Sequence, residues 1–556
     1  MLIPGLDPAI AQAILDFRKL QGRAISLEEL KRSGIINDDI FDNMQPFTKV
    51  MDEPENWQYR VMASYGADDP PGEVISKSPY RQGFKLALEK EGSLSLGMAL
   101  EKDAGETDIW DHSAMGLAYE LPGNRGRIVL GDYLASYGFG MLINTRRSYS
   151  FLQQFGGLFA VRHPGITTYR GFDESIALRG VALQAEAERW RLAAWGSSRK
   201  RDAYVDSLGV VTAFDLSGKH RTAAEQEREG NCTEDLFGGR IEYAILPERM
   251  NIACTGYLTS WDRAVRVGQV LYDQVGVGSV ELNACVDQFR GRAEIALDDR
   301  GGTAAMLGVS AKLSDFSANG ALYRAGAGYF SPLSSTMDLD IGRVRNRQGV
   351  LAVFQAWSQE TKMMMALHLH RRLERTVGES WGGQDLFAQL RQGFSNKVET
   401  ALSSRWTQEE ETADTIQTSH WRGSCALRIL PSPDWEMQLK LKLCRANGSA
   451  KAGSLLQMEI CRRLELDSHW TLKGNSATGI YYAPDYGVRL YWSDVRLDGS
   501  WQNRAFWGRG AFWALELKGG YGNQCTLELF ALWDMPERDF EREFRRSIWL
   551  TLKIQG

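Results

Sequence analysis

The chain has 556 residues, of which 43% are hydrophobic and 24% charged, with a formal net charge of −5. That length exceeds one ordinary globular core, and that charge balance excludes both a disordered polyelectrolyte and a basic nucleic-acid coat. No apolar run reaches the ~18 residues of a spanning helix, which does not exclude a barrel, because barrel strands alternate and never look apolar in a long window.

The first 50 residues carry helical periodicity. Ile10, Ala13, Ile14 and Phe17 fall on one face of a helix over 8–20. Ser26 reads as an N-cap with Glu29 in the capping-box position, and a second short helix is expected around 38–44, stopped by Pro46. The opening Met-Leu-Ile-Pro-Gly has neither a basic nor an apolar leader region. Read literally this indicates a cytoplasmic protein; the preferred reading is a mature or trimmed chain without its signal peptide.

From Trp57 the period changes to two. Trp57, Tyr59, Val61, Ala63 and Tyr65 share one face; Leu94, Leu96, Met98 and Leu100 oppose Ser95, Gly97 and Glu101. Trp435, Met437, Leu439 and Leu441 oppose Glu436, Gln438 and Lys440, and Ile548, Leu550, Leu552 and Ile554 oppose Thr551 and Lys553. A soluble sandwich would need shorter domains, and a propeller would show a recurring 40–50-residue motif. Tight turns alternating with long polar connections (202–235, 374–384) instead indicate a large antiparallel transmembrane β-barrel, of about 22–26 strands at roughly 20 residues per strand and connection. Trp57, Trp110, Trp190, Trp435, Trp470 and Trp549 lie near strand ends and suit interfacial girdles. The organisation expected is a small all-α domain over 1–50, a linker over 51–56, and the barrel over 57–556.

With these segments in view, residues 2–50 resemble the ComEA-like helix-hairpin-helix domain, with Ile3-Pro4-Gly5-Leu6-Asp7 as the first hairpin and Ser33-Gly34-Ile35-Ile36 as the second. The remainder resembles a family of outer-membrane β-barrels of Bacteroidota-type bacteria that carry such a domain in front. The matching segments are 100–106 (Leu-Glu-Lys-Asp-Ala-Gly-Glu), 129–133, Tyr137-Gly138-Phe139-Gly140, 178–180, 197–203 ending in Arg201-Asp202-Ala203, and 220–225 beginning His220-Arg221-Thr222, with Phe237-Gly238-Gly239. The resemblance covers the first half of the chain; it implies an outer-membrane barrel with a periplasmic N-terminal domain and no known activity.

Helix-hairpin-helix domains hold DNA phosphates on backbone N–H groups of glycine-hydrophobe-glycine hairpins. Here Gly5 and Gly34 are kept, with Leu6 and Ile35 behind them, while the second glycines are replaced by Asp7 and Ile36. Six Lys/Arg against seven Asp/Glu over 1–50 give no cationic surface, so docking of a periplasmic or barrel-associated partner is favoured over DNA. The connection 134–172 has no acidic residue and carries Arg146, Arg147, Arg162, His163 and Arg170 among Tyr149, Phe151, Phe155 and Tyr169. Two readings of it stand: an anion-attracting or stacking constriction, or a loop folded into the lumen with its arginines paired to wall carboxylates. His368 and His370 share a strand face and are expected to line a polar lumen; Glu101, Asp103 and Glu106 are expected to form a solvated turn.

Seven scattered cysteines without a CxxC pair exclude a zinc finger or compact disulfide framework, and no nucleophile elbow or P-loop occurs. No cofactor, no metal and no enzymatic activity is expected. The function expected is a channel or translocation pore gated or docked through residues 1–50; the alternatives are DNA uptake or tethering, and a non-conducting structural barrel.

Overall fold

The computed structural model describes residues 30–31 and 57–556, except for 69–75, 77, 91–92, 109, 123–124, 147–164, 248, 337–343, 375–381, 411–416, 450, 468, 498–499, 523 and 538–544. From Trp57 onward the alternating sequence forms antiparallel strands, each paired with its neighbour in the wall. The last strand, Arg545–Gln555, pairs back onto the first, Trp57–Asp68, with Val61 opposite Ile554 and Ala67 opposite Ile548. That pairing closes a barrel of 24 strands and leaves no edge whose N–H and C=O groups would face lipid.

The two ends differ. One is closed by tight turns such as 188–189, 287–288, 396–397 and 433–434; the other carries the connections 103–111, 137–177, 202–231, 326–346 and 484–507. The barrel's first and last strands meet at the tight-turn end, where Tyr59 N–H donates to the Gly556 carbonyl at 2.8 Å.

The outer face is apolar: Val181, Leu258, Ile295, Leu307, Leu322, Leu402 and Ile480 all stand exposed. Rings border this band. Trp57, Tyr119, Trp190, Trp435, Trp470 and Tyr521 are exposed at the tight-turn end, and Tyr65, Tyr80, Trp421 and Trp513 towards the other. Trp57 and Tyr65 lie eight residues apart on one strand, as do Trp513 and Tyr521. Eight residues rise about 27 Å along a strand, or about 20 Å after barrel tilt, near the height of a hydrocarbon band. Trp549 does not join the girdle. Its register places it on the inner face, where it is 2% exposed beneath Gly66.

The fold class read from the sequence is corrected in its first part. Among the described residues there is no helix-hairpin-helix domain; helix occurs at 30–31, at Ala223–Gln226 and as a 3-10 turn at Tyr486–Val488. The hairpin residues Gly5, Leu6, Asp7, Gly34, Ile35 and Ile36 lie outside the described residues. An apolar stripe of two or three turns defines a face without defining what packs on it, and short helical patterns specify little until a partner surface does.

Candidate functional site

The lumen is filled by the chain's own connections. Residues 137–146 enter it after the strand Gly126–Ser136 and meet residues 326–336, which follow Phe316–Ala325. Tyr329 OH donates to the Met141 carbonyl at 2.8 Å, Ser331 OH to the Leu142 carbonyl at 2.6 Å, and Asn144 N–H to the Leu333 carbonyl at 2.8 Å. The wall grips this pair from below: Phe139 N–H donates to Glu294 Oε2 at 2.5 Å, Leu333 N–H to Tyr257 OH at 3.1 Å, and Tyr137 stacks on Trp195. The glycines of Tyr137-Gly138-Phe139-Gly140 are required here. Both have positive φ (60° and 79°), and a Cβ would meet Glu294 Oε2 at 2.4 Å from Gly138 and the Ser335 carbonyl at 2.3 Å from Gly140.

A second insertion closes another sector. The antiparallel hairpin formed by Leu490–Leu497 and Ser500–Phe506 lies against inward-facing rings. Phe506 stacks on Phe512 and Tyr481 with centroids 4.9 and 4.8 Å apart, and Trp492 lies 5.2 Å from Phe512. Phe172, from the 137–177 connection, packs against this cluster and also against that around Ala99, Tyr169 and Ile176.

Beneath the first insertion, towards the tight turns, a polar cavity of about 120 Å³ is lined by Tyr137, Gln184, Arg191, Arg240, Glu242 and Asn283. Its charges are balanced. Arg240 is ion-paired with Glu281 and Glu242, and Arg191 with Glu242 at 3.1 Å.

At the long-connection end, three segments singled out in the sequence converge. His220 Nδ1 lies 2.8 Å from Asp111 Oδ2, and its Nε2 lies 2.8 Å from Asp202 Oδ2. Glu106 Oε1 accepts from His220 N–H at 3.3 Å, and Glu174 stands alongside. Ligand-type atoms of Glu106, Asp111 and His220, and of Glu174, Asp202 and His220, lie within 4.8 Å of one another, spacing that could hold a divalent cation. With both ring nitrogens engaged by carboxylates, the arrangement is that of an imidazolium clamp joining the connections 103–111, 137–177 and 202–231. Burial alone would lower the His220 pKa; its two aspartates lift it to about 11. Burial, then the carboxylates of Asp111, Asp202 and Glu106, push Glu174 up to about 9.

Both values lie above those of the unfolded chain, 6.5 for histidine and 4.5 for glutamate. Stability from the imidazolium is complete below about 6.5 and drains as pH rises to about 11, while the cost of ionising Glu174 grows from about 4.5 to about 9. Proteolytic nicking within 202–231 should therefore be slowest near pH 5 and accelerate steadily to pH 10. His220→Gln should nick rapidly already at pH 6. A rate for the wild-type loop that is flat across that range, once corrected for the protease's own profile, would refute the clamp.

The other expected site residues are dispersed. Arg146 donates to Thr167 Oγ1 at 2.7 Å, and Arg170 pairs with Glu89 on the inner wall at 2.7 Å; Arg147, Tyr149, Phe155 and Arg162 lie outside the described residues. His368 is buried and bonded to Tyr323 OH at 2.9 Å, with the His370 ring tilted against it at 4.9 Å. The solvated turn expected at 101–106 is corrected: Glu101 and Glu106 are buried, and Arg81 pairs with Glu101 and Asp103. Sequence spacing could not reveal the clamp, because Asp111 and His220 are 109 positions apart.

A closed wall, an apolar outer band between aromatic girdles, and a lumen filled by the chain's own connections define a transmembrane β-barrel of the outer-membrane type. No family model matches the chain, and no curated protein does. Among solved structures it is similar to the P pilus usher (PapC) translocation pore, at 8% identity and a TM-score of 0.40 over 90% of this chain and 99% of that one. It is also similar to the copper transporter OprC (10% identity, TM-score 0.42, over 90% and 80% of the two chains). The FrpB iron transporter from Neisseria meningitidis gives 7% identity and a TM-score of 0.40 over 93% and 83%. At these values neither substrate nor partner carries over. The resemblance to the ComEA-like helix-hairpin-helix barrel family is corrected accordingly, and the DNA-handling reading that depended on it goes with it.

Proposed function

We propose that the protein is an outer-membrane transport barrel, a channel or translocation pore, closed at rest by its own loops. The observation that carries this reading is the lumen packed by 137–146, 326–336 and the hairpin 490–506, all entering from the long-connection end. A barrel this wide is either open or filled, and filling it with connections rather than a separate domain lets a solute pass only when those connections move. In the orientation usual for such barrels, tight turns face the periplasm and long connections the exterior. The first described wall strand, Trp57–Asp68, starts at that periplasmic end. No catalytic step enters this reading.

Outer-membrane extracts should yield a compact, fast-migrating band on gels that shifts only on boiling. The purified protein in planar bilayers should be silent for most of the record, with rare stepwise openings. A soluble protein without a heat shift would overturn the membrane reading, and a membrane protein that stays silent under every applied potential would favour the structural barrel.

A further inference from the structure

We propose that the exterior mouth of the lumen holds a binding site for a small soluble oxyanion of the phosphate class, built from Arg422, Lys442 and Arg489 around Tyr491. Arg422 lies on Gln417–Ser432 and Lys442 on Trp435–Ala446, both on the inner face, since their neighbours Trp421 and Leu441 point outward. Arg489 comes from the turn that leads into the inserted hairpin. All three cations gather on one residue of that hairpin, Tyr491. Lys442 Nζ donates to the Tyr491 carbonyl at 2.7 Å, Arg489 Nε donates to Tyr491 OH at 2.5 Å, and the Arg422 guanidinium stands 5.7 Å from the ring centroid.

Several other cations of this lumen are paired with acids: Arg405 with Asp385, Arg428 with Glu436, Lys440 with Glu459, Lys553 with Glu528. Among the described residues, Arg422, Lys442 and Arg489 have no carboxylate partner. Of the acids nearby, Glu459 is engaged with Lys440, and Asp485 with Ser449 Oγ at 2.6 Å and the Gly487 N–H at 2.8 Å, while Glu409 stands near His420. Arg422 is the most exceptional of the three. Its Nε is buried without a hydrogen-bond partner, and the residue directly opposite is Cys444, whose sulfur is a weak acceptor. His420, also on this inner face, has a buried Nδ1 without a partner.

A buried guanidinium N–H left unmade costs free energy, and a fork of such donors beside an ammonium group matches a tetrahedral oxyanion. The lumenal position favours a soluble anion over a lipid headgroup, because the closed wall separates these side chains from the bilayer. The site stands on this placement alone. A barrel that binds the anion yet never conducts would leave it intact while removing the transport reading.

Calorimetric titration of inorganic phosphate into the full-length protein in detergent, at low ionic strength, tests the proposal. One saturable site is expected, weakened roughly tenfold or more by Arg422→Gln and likewise by Lys442→Gln. Arg445→Gln, on the outer face one residue beyond Cys444, should bind as wild type. Retention of the heat-shifted band certifies each variant, and Lys442→Gln decides the matter if Arg422→Gln fails to fold. Absence of saturable binding, undiminished binding in both glutamine variants, or binding only of a phosphate-bearing lipid in mixed micelles would each overturn it.

Discussion

Replacing residues 484–507 by a short turn should convert a closed barrel into an open pore, raising single-channel conductance in planar bilayers at least about tenfold over the intact protein. The deletion is geometrically clean. The flanking wall strands Trp470–Ala483 and Gly508–Tyr521 are paired along their whole length, with Ala483 directly opposite Gly508, so a two- to five-residue hairpin loop can join them. What disappears is the hairpin whose Leu490, Trp492 and Phe506 cover the inward rings of Tyr481, Phe512, Phe530 and Trp549. Those rings would then line water, a modest cost spread over a wall whose ladder is untouched. If the shortened protein keeps its heat-shifted band and remains as silent as the full chain, the hairpin does not close its sector of the lumen.

The wall was legible in sequence because its cause is local. In Trp435–Ala446 the outward Trp435, Met437, Leu439 and Leu441 and the inward Glu436, Gln438, Lys440 and Lys442 sort by parity alone. Parity does not say which face is lipid when the lumen is itself apolar. Trp549 was therefore read as a girdle residue, although it belongs with Met62 and Phe530 on a lumenal surface made apolar by the inserted hairpin. The insertions were less visible still. Tyr137-Gly138-Phe139-Gly140 stood out, but the partners that make its glycines necessary, Glu294 on the wall and Ser335 in the second insertion, are reached through contacts spanning 155 and 191 residues. Of the imidazolium clamp, Glu106, Asp202 and His220 stood in segments that were visible one by one, while Asp111 and Glu174 did not, and only barrel closure brings all five together. The N-terminal reading erred in the opposite direction, because a short periodic stripe was given the weight of a domain.

Glu234→Gln should destabilise the barrel by about 3–5 kcal/mol, the loss expected when a buried ion pair is broken by removing one partner. Glu234 is 1% exposed. It accepts from Arg199 Nε at 2.7 Å, from Arg201 Nη1 at 2.9 Å and from Trp261 Nε1 at 3.3 Å. The amide keeps the shape and removes the charge, leaving two guanidinium groups uncompensated where water does not reach. Glu436→Gln is the contrast: that carboxylate also meets an arginine, Arg428 at 2.7 Å, but is 37% exposed, so screening limits its loss to about 0–1 kcal/mol. Arg199 also donates to the Ala177 carbonyl at 2.5 Å, so the pair holds the end of the connection that fills the lumen. Two readouts follow from one substitution. The temperature at which the compact gel band disappears should fall markedly for Glu234→Gln and barely for Glu436→Gln, and openings in planar bilayers should become more frequent only for the former. A lowered temperature with unchanged openings would make Glu234 a strut of the wall alone, and its tie to the plug would have to be given up.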